Sequence, residues 1–228
     1  MSIEQYKKEI CRVTSITPVT PLINVIKLEK EDLSDFSFKA GQYITIECEA
    51  YEPRSYSIAN SATQNNYLEL HIKNTGRGLS AHITDNIKIG DCLPLTLPHG
   101  DSYLRDLNKP ILGIAGGVGV VPLKSIIETV LHHKTEKPVH LYLGTNTEEE
   151  MYLKQYFDNL SDQHLNLSFN PVFAEPVKSY KTGLVGSIVA DDFKDLSGFH
   201  IYLSGPPPMI EHTKELLIKK GANPQDIF

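Results

Sequence analysis

Cysteine is scarce in this sequence. Cys11, Cys48 and Cys92 are odd in number and widely separated. Their spacing excludes a C-x-x-C metal site or a four-cysteine iron–sulfur cluster within the 228 residues. All three are expected to serve as buried small hydrophobes. A basic block is also missing: 22 Lys and Arg against 28 Asp and Glu leave a net charge of −6, which argues against a nucleic-acid partner. No apolar run approaches the length of a membrane span, and the opening MSIEQYKKEI lacks the apolar core of a signal peptide. A cytoplasmic protein without a membrane partner is expected. None of the nine histidines falls in an H-E-x-x-H or other ligand spacing, and there is no G-x-S-x-G elbow. His132 and His133 read as a solvated helix end. Internal repeats and low-complexity segments are absent too.

What is present is ordinary in composition, 40% hydrophobic and 22% charged, and long enough for one large domain or two small ones. The two parts of the chain carry different periodicities. Short alternating runs recur at 11–17, 22–28, 42–48, 55–59, 67–73 and 92–97. In the fifth, Leu68, Leu70 and Ile72 face one way while Glu69, His71 and Lys73 face the other; Leu93, Leu95 and Leu97 alternate likewise in the sixth. Six strands parted by turn residues predict a small antiparallel barrel or sandwich. One short helix interrupts it, with Leu79, Ile83 and Ile87 on one face and Gly90 as its end.

After Pro110 strands at 111–115, 139–143, 167–172 and 200–204 alternate with helices near 121–133, 148–160, 184–192 and 207–220. That alternation predicts a parallel sheet covered on both faces. The boundary falls near residues 104–109, giving a β domain over 1–104 and an α/β domain over 105–228.

Five stretches could carry chemistry. In the first, Gly116, Gly117 and Gly119 lie between a buried strand and a helix opening at Val121 and Pro122. Glycines there let an anion approach free N–H groups and the positive helix end, although a tight turn without a ligand would read the same. Arg54-Ser55-Tyr56-Ser57 puts a cation and an aromatic two apart on a strand, hence on one face. A phosphorylated planar heterocycle needs that pair, and so would an ordinary half-exposed strand supply it.

Asn74-Thr75-Gly76-Arg77-Gly78-Leu79-Ser80 leads into the short helix and reads as an anion site, or as a turn capped by Ser80. Ser204-Gly205-Pro206-Pro207-Pro208-Met209 follows a strand at the sheet edge where parallel sheets bind ligands. Glu148, Glu149 and Glu150 read as the first turn of a helix, complementing its dipole. The lesser reading is that they repel a 2′-phosphate, weakly favouring NADH over NADPH.

In this order and across these two domain types, the stretches resemble the ferredoxin–NADP reductase superfamily, most of all its NAD(P)H:flavin oxidoreductases and oxygenase reductases. Arg54-Ser55-Tyr56-Ser57 is similar to the R-x-Y-S flavin motif, and Gly76-Arg77-Gly78-Leu79-Ser80 to the G-[RK]-[GV]-[LV]-S phosphate motif. Gly116-Gly117-Val118-Gly119 with Val121-Pro122 is similar to G-G-x-G-x-x-P, and Gly205-Pro206-Pro207-Pro208-Met209 to G-P-P-x-M.

The resemblance implies a six-stranded flavin-binding barrel followed by a nicotinamide-nucleotide domain, with FAD or FMN and NADH or NADPH as cofactors. It implies that Arg54 pairs with the flavin phosphate, Tyr56 packs on the isoalloxazine and Ser57 hydrogen-bonds near flavin N5. Ser80 and its helix would hold the phosphate. Gly117 and Gly119 would admit the pyrophosphate, and residues 205–209 would flank the nicotinamide. Hydride transfer from NAD(P)H to flavin needs no general acid or base. The product is either reduced free flavin or electrons for a separate iron–sulfur or haem protein; a non-catalytic nucleotide-binding module is the third reading. Two departures stand out. Ser204 occupies a place where the family often has a more polarizable cysteine, and residues 222–228 resemble the approach to the family's last strand, where this sequence stops.

Overall fold

The computed structural model describes residues 6–228; the first five, part of the N-terminal stretch read above as lacking a signal core, lie outside them. The chain divides into two compact units: residues up to Leu104 together with Lys124–Thr129, and Arg105–Leu123 together with Val130–Phe228.

Alternating apolar residues build the first unit's sheet. Its strands are β1 (Lys7–Thr20), β2 (Ile23–Lys30), β3 (Tyr43–Cys48), β4 (Tyr51–Ser57), β5 (Leu68–Lys73) and β6 (Cys92–His99). They pair antiparallel in the order β4-β3-β6-β1-β2-β5. A bridge between Ile58, just past β4, and Leu70 of β5 joins the two edges. Closing a sheet requires its long strands to bend, and β1 does so at two register shifts, after Val13 and after Pro18.

The inward faces of all six strands contribute to one core that includes Val13, Ile26, Ile44, Ile46, Leu68, Leu70, Ile72 and Leu95. Burying such a side chain stabilises by about 1.5–3 kcal/mol. Helix α1 (Gly78–Asn86) adds Leu79 and Ile83 to that core, and Ile87 packs against it as the residue after the helix. Gly90 does not end this helix. At φ +99° it makes the following turn, where its N–H donates to Val13 O.

Glu69 and His71 point away from the barrel core, yet His71 is buried and Glu69 half-buried, with Lys124 set against the Glu69 carboxylate. The Lys124 ammonium sits 2.9 Å from Glu69 and 2.7 Å from Glu128, and donates to Ala59 O. His71 meets the same Glu69 carboxylate at 3.1 Å. Burial alone would raise the Glu69 carboxyl. Hydrogen bonding from His71 and the charge of Lys124 outweigh it and hold the group down at about 2. Burial likewise works against the Lys124 charge, and Glu128 and Glu69 more than reverse it.

The second unit is the parallel sheet that strand–helix alternation implies. It comprises β7 (Ile111–Gly116), β8 (Val139–Thr145), β9 (Leu167–Phe173), β10 (Lys181–Thr182) and β11 (His200–Ser204). The strand order is β10-β9-β8-β7-β11, all neighbours parallel. The chain steps outward from β7 through β10 and then returns to its other side, so β7 and β11 flank the point where the winding direction reverses. Ligands bind at the carboxyl edge of such a point.

Helices α2 (Val120–His132), α3 (Lys154–Gln163), α4 (Val185–Asp192) and α5 (Pro207–Lys219) connect the strands. Val185, Val189 and Leu217 from α4 and α5 share a core with Leu112, Ile114 and Leu203 of the sheet. Ile227 bridges to Ile201 in parallel beyond β11, so residues 222–228 do approach a further strand position. No helix among the described residues is long and apolar enough to cross a membrane.

Three expectations are corrected here. Helix α3 begins at Lys154, not near 148, and Glu148, Glu149 and Glu150 lie in the turn before it, with no acidic residue in its first turn. The two-residue β10 carries too short a signal to be read from periodicity. Of the cysteines only Cys11 is buried. Cys92 is the first residue of β6 and points away from the core, while Cys48 ends β3 half-buried.

The ion network gives a test. A carboxyl held below its ordinary 4.5 contributes stability that is present above that pH and is lost as pH falls toward 2. Glu69→Gln therefore flattens the fall in melting temperature between pH 5 and pH 2.5. Lys124→Ala, which leaves two half-buried carboxylates without the cation they share, costs about 3 kcal/mol at pH 7 in denaturant titrations.

Candidate functional site

The first unit presents a cleft of about 770 Å³ between the first half of β4 and the start of α1. β4 is an edge strand, and its residues 54 and 56 pair with the buried Ile46 and Ile44. Paired residues share a face, so Arg54 and Tyr56 point to the side that α1 covers. The Tyr56 hydroxyl hydrogen-bonds Ser80 Oγ of α1 at 3.0 Å. Burial raises the phenol, and the Ser80 hydrogen bond and the Arg54 charge only partly offset that, so it stays neutral. Ser55 turns to the opposite face, where its hydroxyl lies 3.1 Å from Thr45 Oγ1. Ser57 ends the strand, half-buried opposite Tyr43.

The other wall is built by residues that only glycine chemistry permits. Gly76 and Gly78 sit at φ +75° and +66°, with no atom within 4 Å of where a Cβ would project. Asn74 braces the loop: its Oδ1 accepts from Gly76 N at 2.7 Å, and its Nδ2 donates to Asp85 of α1 at 2.7 Å. Arg77 is the residue before the helix, and no side chain caps it. Ser80 is not the cap. It stands third in the helix, where its hydroxyl serves Tyr56.

Arg54 and Arg77 both line the cleft, and neither has an ion-pair partner among the described residues. Two unpaired guanidinium groups beside open backbone N–H groups fit a phosphorylated ligand. The half-buried ring of Tyr56 suits a planar one.

In the second unit the two remaining glycine stretches interlock. A Cβ at Gly119 would lie 2.5 Å from Ser204 O, and one at Gly116 2.7 Å from Met209 Sδ and 3.1 Å from Pro206 Cδ. Gly205, at φ +156°, has Met209 Cε within 2.9 Å of its own Cβ position. The requirement for glycine at 116, 119 and 205 is therefore packing between the turn after β7 and the turn after β11. Gly117 differs: it takes φ +55° and a Cβ there would meet nothing within 4 Å, so its backbone is open to an approaching group. Pro122 is the third residue of α2, inside its first turn, and Pro207 opens α5 after Pro206. At the end of β8, Asn146 N donates to Glu150 Oε2 at 3.0 Å, so Glu150 shapes the loop while Glu148 and Glu149 stand exposed.

The fold, with the family models and relatives that the chain matches, defines an NAD(P)H-dependent flavoprotein oxidoreductase. Residues 10–103 match the family model of an oxidoreductase FAD-binding domain, and residues 114–215 that of an oxidoreductase NAD-binding domain. A probable flavin reductase of Photobacterium leiognathi is 34% identical over 197 residues, 82% of this chain and 83% of that protein. A CDP-6-deoxy-L-threo-D-glycero-4-hexulose-3-dehydrase reductase of Yersinia pestis is 30% identical, over 98% of this chain and 68% of its own length. The crystal structure of an Amycolatopsis cytochrome P450 reductase superposes at a TM-score of 0.89 and 26% identity, over 97% of this chain and 68% of that one. The chain belongs to the ferredoxin–NADP reductase superfamily.

Sequence reading missed Tyr51, which lines the cleft, and the brace supplied by Asn74 and Asp85. Only Pro53, which lacks an N–H in the middle of a strand, hinted that β4 is irregular.

The glycines supply a paired test. Gly119→Ala must push a backbone carbonyl aside and lowers stability by about 1–3 kcal/mol in thermal melts. Gly117→Ala has open space and costs only the strain of its positive φ, about 1 kcal/mol.

Proposed function

We propose that this protein reduces a flavin with NADH, holding the flavin along β4 and α1 and the dinucleotide at the carboxyl edge of the second sheet. The observation that carries the reading is the pair of unpartnered guanidinium groups, Arg54 and Arg77, facing the open glycine backbone at the start of α1. Arg54 pairs with the flavin phosphate, and the N–H groups from Arg77 through Leu79 share its remaining oxygens. Tyr56 supports the isoalloxazine, fixed in place by its hydrogen bond to Ser80. Ser57 donates toward flavin N5.

Gly117 offers its backbone to the dinucleotide pyrophosphate, while Gly116 and Gly119 keep that turn seated on Ser204, Gly205, Pro206 and Met209. Pro207 starts the helix behind that turn. When bound, the cofactors supply the chemistry, a hydride passing from nicotinamide C4 to flavin N5. The chain's own part is to orient the rings and exclude water, and it needs no acid or base for that step.

The acceptor in the preferred reading is free flavin, supported by likeness to a flavin reductase across most of both chains. Delivery of electrons to a separate iron–sulfur or haem protein is the second reading, favoured by likeness to a cytochrome P450 reductase. The barrel unit is then the flavin domain and the α/β unit the nucleotide domain, in a cytoplasmic enzyme.

Flavin content after desalting decides between them. A yellow protein bleached anaerobically by NADH, whose flavin washes out, is a flavin reductase; retained flavin points to the electron-delivery reading. A colourless protein that neither takes up flavin nor oxidises NADH overturns both. NADH preference rests on the exposed Glu148 and Glu149 beside β8. Replacing both with glutamine raises kcat/KM for NADPH relative to NADH about five- to tenfold, as removal of a like charge near a phosphate should. An unchanged ratio assigns these residues to the loop alone.

A further inference from the structure

An amphipathic helix buries one face and leaves the other to water. Helix α2 buries both. Leu123, Ile126, Ile127 and Val130 make its apolar stripe, and Lys124, Ser125 and Thr129 on the opposite side are buried as well. Residues 124–129 belong to the first unit, and their polar side chains reach the loop that follows β4. Ser125 Oγ donates to Asn60 O at 2.7 Å, and Lys124 Nζ to Ala59 O at 3.3 Å. Thr129 Oγ1 donates to Ser125 O at 2.8 Å, accepts from Ala62 N at 3.0 Å and lies 3.0 Å from Ser61 Oγ. Glu128 accepts from Ser61 N at 3.1 Å.

The same loop is tied to β5 and the residue before it. Ala59 N donates to Glu69 O at 2.8 Å, Asn60 Oδ1 accepts from Glu69 N at 2.8 Å, and Asn60 Nδ2 donates to Tyr67 O at 2.9 Å. From Ala59 to Ala62 the backbone is thus gripped at every residue. A buried polar network whose members are satisfied admits one geometry and makes a rigid support. The grip begins two residues past Ser57, which ends β4 and pairs with Tyr43 of β3. Beyond that pair the chain leaves the ladder, with Ile58 N donating to Gln42 O, just before β3, at 3.1 Å. The direction of the Ser57 side chain is therefore set by β3 on one side and by the loop's hold on α2 on the other. A hydroxyl aimed at a reacting centre needs such support, because a misplacement of about 1 Å can cost about a hundredfold in rate.

We propose that Ser125 and Thr129 of α2 are positioning residues for Ser57, holding the loop after β4 so that the Ser57 hydroxyl keeps its direction toward flavin N5. The proposal rests on the reading of β4 as the flavin strand. The grip on the flavin phosphate, at Arg54 and the start of α1, lies on the other side of Ser57 along the chain. Loss of either α2 hydroxyl therefore slows flavin reduction and leaves flavin affinity alone.

The test uses the full chain, unmodified and as Ser125→Ala, Thr129→Val, Thr129→Ser, Ser57→Ala and the double variant Ser57→Ala with Thr129→Val. FAD affinity is read by fluorescence titration of the flavin-free protein, and amide exchange over residues 59–62 by mass spectrometry of the same protein. The rate of anaerobic flavin reduction is followed against NADH concentration. Ser125→Ala and Thr129→Val speed the exchange about tenfold and lower the maximal reduction rate about five- to tenfold. FAD affinity and the NADH concentration for half-maximal rate stay within twofold, and Thr129→Ser retains the rate. Ser57→Ala lowers the rate, and adding Thr129→Val lowers it less than twofold further, because one residue acts through the other. Additive losses in the double variant, an unchanged rate in Ser125→Ala and Thr129→Val, or FAD affinity falling in step with the rate overturns the proposal. Should Thr129→Val fail to fold, Ser125→Ala combined with Ser57→Ala carries the same comparison. An unchanged rate in Ser57→Ala sinks the reading of Ser57 itself and the proposal with it. A slowed Ser57→Ala beside unslowed α2 variants sinks the proposal alone.

Discussion

A single hydrogen bond, from strand to helix, makes the cleft between β4 and α1 a defined place. Edge strands expose a row of unpaired backbone groups and need something to cover them. Here α1 covers the inner face of β4, and Tyr56 and Ser80 tie the two at 3.0 Å. Because strand side chains alternate, that bond also decides which residues face the helix. Arg54 must share the face of Tyr56, and Ser55 must turn from it to Thr45. The loop before α1 completes the wall: its glycines adopt backbone angles that other residues resist, and Asn74 locks it to strand and helix together.

The second unit solves a different problem with the same residue type. Two turns at the carboxyl edge of a parallel sheet come so close that a Cβ at Gly116, Gly119 or Gly205 would collide, and Gly205 takes a positive φ besides. Only Gly117 is left open, which concentrates the exposed backbone at one point beside the start of α2. A glycine-rich turn of this kind is therefore not uniformly a ligand cradle. Most of it is a lock between two loops, and the cradle is what remains once the lock is closed.

Electrostatics runs in opposite senses in the two places where the first unit gathers charge. Around Lys124 the charges are paired and largely withdrawn from water, so the ammonium and the Glu69 carboxylate hold each other ionised at the cost of desolvation. In the cleft the arginines are left exposed and unpaired, and so remain available to a phosphate. The same side-chain chemistry gives structure where partners are supplied by the chain and binding where they are withheld.

Much of this was legible from the residues in order. Alternation in the first hundred residues and strand–helix alternation afterwards determined two architectures, since periods of 2 and 3.6 leave distinct marks on an apolar pattern. The structure brings Arg54 together with residues 77–80, and the turn at 116–119 together with residues 204–209. Periodicity could not reveal that Glu69 and His71 are withdrawn from water on the outer face of β5, where Lys124, fifty-five residues from Glu69, pairs with its carboxylate. Nor could it reveal that the glutamates at 148–150 precede their helix, or that Ser80 serves a tyrosine and not a helix end. Tyr51 is the clearest case. Counted along the sequence, it falls on the wrong face of its strand. Only the pairing of β3 with β4, a long-range hydrogen-bond register that absorbs one extra residue, brings it to the cleft.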